Sequence, residues 1–77
     1  MKIIYDAEVD ALSIIFHEAT VTTQEVAEGI VAEYDGAGRL AGLELLDAAQ
    51  HVGDDSIFDS IVLEGLTPRA VPERIAA

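Results

Sequence analysis

Cysteine is absent from the 77 residues, which removes disulfide staples and thiolate nucleophiles from consideration. Basic residues are scarce. Four Lys and Arg face fifteen Asp and Glu, for a net charge of −11; such a chain repels nucleic-acid phosphates and anionic headgroups. Direct nucleic-acid binding and membrane-surface binding are therefore not expected. Aromatic residues number only four, two Tyr and two Phe, so the core must be aliphatic and rich in alanine. No apolar run approaches the roughly twenty residues that span a bilayer, and the stretch from Met1 to Asp6 is too short for a signal peptide. A cytoplasmic location is the expectation. Both prolines, Pro68 and Pro72, fall near the carboxy terminus.

A chain of this size holds one domain, because a second would lack the apolar volume for its own core. The expected boundaries are residues 1–66 for the domain and 67–77 for an extended tail, in which Val71 and Ile75 could lie on a second subunit. Small domains bury a small share of their surface and commonly need a disulfide, a metal or a second copy. With cysteine missing, self-association as a homodimer is the expected remedy.

Two hairpins can be read from alternation. If Asp6 and Ala11 close a loop over Ala7, Glu8, Val9 and Asp10, then Tyr5 faces Leu12 and Ile3 faces Ile14. One face becomes apolar and the other, with Lys2, Ile4, Ser13 and Ile15, is mixed. The second hairpin runs from Gly29 to Tyr34, turns at Asp35-Gly36-Ala37-Gly38, and returns from Arg39 to Leu46; Asp-Gly between apolar runs is a strong turn signal. Pairing Tyr34 with Arg39 sets Ala32 against Ala41 and Ile30 against Leu43. Between the hairpins, His17 to Thr23 reads as a strand tail or connection, and Thr22-Thr23-Gln24-Glu25 has capping-box spacing that supports a single helical turn at most. Ile57, Phe58, Ile61 and Val62 form the stripe of an amphipathic helix over 54–65, with a strand over Ile61 to Leu66 as the alternative. Asp47 to Val52 can add a helical turn before it. The fold class is α+β: a four-stranded antiparallel sheet of two hairpins with one C-terminal helix packed on one face.

Residues able to carry chemistry are few. Asp6, Glu8 and Asp10 recur at the spacing of the first oxygen ligands of a calcium loop, but the sixth position is Ala11 and the twelfth is His17, where such a loop needs Gly and Glu. Solvated turn acids are the simpler account. His17 and His51 lack a nearby second nitrogen or thiolate ligand, so neither suggests zinc. Ser13, Ser56 and Ser60 lie in no nucleophile elbow, and Gly36 and Gly38 serve a hairpin rather than a phosphate loop. Glu44 and Asp47, with Glu33, could form a carboxylate pair for acid–base work if burial split their pKa values. No catalytic residue, metal or cofactor is expected.

The joint pattern Lys2-Ile3-Ile4-Tyr5-Asp6, Asp10-Ala11-Leu12-Ser13-Ile14, Glu28-Gly29-Ile30-Val31, Tyr34-Asp35 and Gly38 through Ala48 resembles the short prokaryotic proteins grouped as domain of unknown function 2283. The resemblance covers about residues 1–49, and the chain departs from it afterwards. It implies no established activity, and it suggests an antitoxin-like or partner-binding role beside small toxin-like proteins. The resulting expectation is a non-enzymatic interaction module that binds a basic protein through Glu8, Asp10, Glu33 and Glu44. The rival is a small-ligand or metal-dependent enzyme with a pocket built from Asp6, Asp10 or Asp47 at strand ends.

Overall fold

Residues that alternate apolar and polar with period two have a natural home in strands with one face packed and one face wet. The computed structural model describes residues 1–67, and it places β1 at Lys2–Asp6, β2 at Ala11–Ile15, β3 at Thr22–Ala27, β4 at Ile30–Tyr34 and β5 at Leu40–Leu45. A short helix, α1, follows at Ala48–Val52. The strands form one antiparallel sheet in the order β1-β2-β5-β4-β3. The sheet thus has five strands, not four.

The first hairpin pairs Asp6 with Ala11, Tyr5 with Leu12 and Ile3 with Ile14, as the alternation requires. The added strand is β3. Its Thr22, Thr23 and Val26 are β-branched and suit extended backbone, and pairing with β4 offers a full ladder where an isolated helical turn would offer one hydrogen bond. Tertiary pairing therefore overrides the capping-box spacing. At the other edge of β4, the second hairpin differs from the expected register by two residues: Ala32 lies opposite Leu43 and Ile30 opposite Leu45. The turn is longer than four residues, because Asp35 Oδ1 accepts the N–H groups of both Ala37 and Arg39 and the Arg39 carbonyl accepts from Asp35 N–H. An irregularity beside Tyr34 then adds a residue on β5, which leaves Tyr34 opposite Leu40. A shift of two preserves the face, so the apolar rows survive.

Those rows run across the sheet. Ile3, Ile14, Leu43 and Ala32 make one row; Tyr5, Leu12, Leu45 and Ile30 make the next. All lie on the same face. Nevertheless the only buried apolar residues among those described are Ala32, Ala41 and Ala48, and no large side chain is fully enclosed.

The helix expected over 54–65 does not form. Asp54 Oδ1 instead accepts from both the N–H and the hydroxyl of Ser56, an Asx-type turn that competes with helix. A second turn closes from Asp59 N–H to the Ser56 carbonyl, and residues 60–67 have no regular structure. The β-branched Ile57, Ile61 and Val62 add a further cost to helix. What holds the segment is Phe58, whose ring stacks on Tyr5 with centroids 3.8 Å apart. The helix that does form is the extra turn anticipated at Asp47 to Val52, and it meets the sheet at its end, at Asp10 and Gly29, rather than on its face. Of the expected extended tail, residues 68–77 lie outside the described residues.

Gly42 sits on the central strand between Ile15 and Glu33. A Cβ there would stand 2.9 Å from the Ile14 carbonyl oxygen and 2.6 Å from Glu33 Oε1. Glu33 can swing aside, but the backbone oxygen cannot. Gly42→Ala is expected to cost about 1–3 kcal/mol, the range for overpacking a tight site, measured by chemical unfolding, and Glu33→Ala in the same chain should recover only part of it.

Candidate functional site

Three groups of polar side chains stand out, and the backbone separates them. The first occupies the β1–β2 turn. Asp6 Oδ1 accepts the Glu8 N–H at 3.0 Å, an ordinary turn bond. Asp10 does more: in a left-handed backbone conformation with φ 54°, it accepts the Tyr5 hydroxyl at 2.6 Å and the Ala49 N–H at 3.0 Å. Its own carbonyl accepts the Ala48 N–H. The residue at the amino-terminal cap position of α1, Asp47, makes no side-chain cap bond; Asp10 supplies that function from across the fold. The capping signal in the sequence is invisible because donor and acceptor are 39 positions apart.

These bonds set the protonation of the turn. The Tyr5 hydroxyl, followed by the Ala49 N–H, holds the Asp10 carboxyl below the usual carboxylate range. The reciprocal effect raises the Tyr5 phenol, through its hydrogen bond to Asp10 first and desolvation second. Asp35 is likewise lowered, chiefly by the Arg39 N–H and further by His17 and Ala37.

The second group lies on the mixed face of the sheet. Val31 stands opposite both Glu25 and Glu44, and the adjacent row brings Glu33 opposite Thr23 and Gly42. Glu25, Glu33 and Glu44 therefore share one face on three neighbouring strands. Of the four residues singled out from sequence, the structure brings Glu33 and Glu44 together, while Glu8 and Asp10 sit in the turn at the sheet's end. Glu25 was missed because β3 was not recognised as a strand. Among the described residues, ion pairs within 4.0 Å are Lys2 with Glu18 and His17 with Asp35.

The third group is the two histidines, at opposite ends of β4. His17 Nε2 is 3.0 Å from Asp35 Oδ2, just after the strand, whereas the His51 ring lies over Gly29, just before it. They cannot share a ligand. Among the described residues no three His, Asp or Glu side chains gather closely enough to hold a metal ion. Asp47 lines a shallow hollow of about 490 Å³ with Glu28, Gly29, Leu46, Gln50 and His51. Asp6 and Asp10 do not line it. Glu44 and Asp47 do not meet as a pair in that hollow either.

The apolar face carries two further depressions. One, of about 520 Å³, lies between Ile3, Tyr5, Leu12 and Ile14 and the overlying Ile57, Phe58 and Ile61. The other, of about 160 Å³, is lined by Leu12, Ile14, Ile30, Leu43, Glu44 and Leu45. Among the described residues no helix is long and apolar enough to cross a membrane.

Because the Asp10 pKa is lowered in the folded state, the stability it contributes is present above its unfolded value, about 3.9, and is lost as pH falls through the depressed folded value. Asp10→Asn is expected to lower the melting temperature near neutral pH, with the difference from wild type shrinking below about pH 4. In an ultraviolet titration of the same variant, the Tyr5 phenol should move down toward its ordinary range.

A family described as "Protein of unknown function (DUF2283)" matches residues 2–48, which span every strand and the first residue of α1. No curated protein and no solved structure matches the chain. The match covers the whole five-stranded sheet and ends at the first residue of α1, and the chain belongs to the DUF2283 family.

Proposed function

We propose that this protein is a non-enzymatic interaction module whose acidic sheet face meets a basic protein, in an antitoxin-like role. The observation that supports this is the placement of Glu25, Glu33 and Glu44 on one face with no cation within ion-pair distance among the described residues. Acids spread over three rigid strands form a fixed pattern, so they can select a complementary pattern of Lys and Arg as well as attract it. Glu8, on the exposed hairpin turn, extends the same field toward the sheet's end. Asp10 carries its charge there but commits its oxygens to Tyr5 and α1, so it contributes to the potential and leaves direct contact to Glu33 and Glu44.

The wider charge balance adds to the effect. Two of the four bases, Arg69 and Arg74, lie past residue 67, and only Lys2 and Arg39 stand among the described residues. A positively charged partner is steered toward such a surface at low salt and released as screening increases.

The test is affinity capture from native cell extract with the wild-type chain beside the double variant Glu33→Lys, Glu44→Lys. The expected result is a basic protein retained at low ionic strength and released near 1 M salt, where the Debye length falls to about 3 Å. The double variant should weaken retention by at least about tenfold, equivalent to ~1.4 kcal/mol. Retention indifferent to both salt and charge reversal would reject the reading.

A further inference from the structure

We infer that residues 54–67 form a strap that opens from the sheet as a unit, hinged at Gly53 and latched by Phe58 on Tyr5, while the five strands stay paired. Closed, it covers the apolar face of β1 and β2; open, it bares Ile3, Leu12 and Ile14. This concerns the face opposite the glutamates and is independent of the acidic-face reading.

Side chains alone tie the strap to the sheet. Among the described residues, the hydrogen bonds of residues 55–67 are local, from Ser56 to Asp54 and from Asp59 to Ser56. A segment outside the ladder leaves without breaking a strand pairing, and such segments open at a fraction of the global unfolding free energy. What closes it is Phe58, stacked on Tyr5 with centroids 3.8 Å apart, together with Ile57 and Ile61 facing Ile3, Leu12 and Ile14. The fit is loose. A hollow of about 520 Å³ remains between the two layers, so much of the facing surface lies beyond contact distance and forfeits dispersion energy. Ile61, Val62, Leu63 and Leu66 stay 63–72% exposed.

The hinge is built into the helix end. Gly53 closes α1 in a left-handed conformation, φ 73°, its N–H donating to the Ala49 and Gln50 carbonyls. Outside α1 and its chain neighbours, nothing lies within 4 Å of where a Cβ would stand. A glycine this free absorbs the changes in φ and ψ that a swing requires. The family match ends at residue 48, so hinge and strap both lie beyond the part of the chain that carries the sheet.

Asp10 couples hinge to latch. Its carboxylate accepts the Ala49 N–H at 3.0 Å, which docks α1, and the Tyr5 hydroxyl at 2.6 Å, which orients the ring beneath Phe58. From Asp10 through Ala49, Gly53 and Phe58 back to Tyr5 the contacts close a ring, so one carboxylate holds both the root of the strap and its landing point. Asp10 is thus a positioning residue for the strap. Glu8, exposed in the same turn, is engaged there through its backbone N–H and serves as the control.

Proton NMR of the full chain through a urea titration, with no partner protein present, tests this. Stacking moves the Tyr5 ring protons upfield, and the amides of Ile14, Ala32 and Leu43 report the sheet. The expected result is loss of the Tyr5 upfield shift at a lower urea midpoint than loss of the sheet amides. The apolar dye ANS should brighten at that first step, as it does on newly exposed hydrophobic surface. Asp10→Asn should lower the first midpoint more than the second, and Glu8→Gln should leave both in place. Phe58→Leu should abolish the ring shift and raise dye binding without urea, with the sheet amides still dispersed. Coincident ring and sheet midpoints in the wild type overturn the inference, as does a Tyr5 ring without an upfield shift in the folded chain, or an Asp10→Asn that moves both midpoints equally. The wild-type titration stands by itself, so a variant that fails to fold does not remove the test.

Discussion

The pairing of β2 with β5 is the joint on which the molecule depends. It alone connects the amino-terminal hairpin to the three strands that follow, through Leu12 with Leu45, Ser13 with Glu44, Ile14 with Leu43 and Ile15 with Gly42. The apolar rows become continuous only if this register holds, since a slip of one residue would send Ile14 and Leu12 to the face of the glutamates. Gly42 enforces the fit at one end, where the Ile14 carbonyl leaves no room for a side chain. Beyond it, the Ala41 carbonyl accepts from both Phe16 and His17 and closes the ladder.

From that joint the two faces acquire different chemistry. One gathers aliphatic side chains from four strands; the other gathers Glu25, Glu33 and Glu44. Separation of this kind follows from the pleat, which sends alternate residues to opposite sides. Among the described residues only alanines are buried among the apolar side chains, which leaves the sheet little enclosed hydrophobic area to offset chain entropy. The single layer thus presents two unlike surfaces, and the contact proposed for this protein uses the acidic one.

Asp10 has a different part. A carboxylate in the first turn reaches the Ala49 N–H and the Tyr5 hydroxyl together, so it fastens α1 to the hairpin and positions the aromatic ring on which Phe58 stacks. The same residue thus links the sheet's end to the segment over its face. Its charge serves the architecture, whereas Glu33 and Glu44, both half-buried, form no ion pair among the described residues.

Local pattern in the sequence determined the first hairpin, the polarity of both faces and the turn at Asp35-Gly36, because alternation and turn chemistry act over a few neighbouring residues. It also determined the uncharged character of the rows containing Ile3, Ile14 and Leu43. Only the tertiary structure decided that Thr22–Ala27 is a strand, since its extended form is stabilised by β4 and not by its own residues. The two-residue displacement of β5 was equally hidden: the alternation is the same for either register, and turn bonds to Asp35 chose between them. Likewise, the apolar stripe around Ile57 and Phe58 fits a helix as a pattern. The Asx turn at Asp54 and the stacking of Phe58 on Tyr5 set its path instead, through contacts that no window of sequence contains.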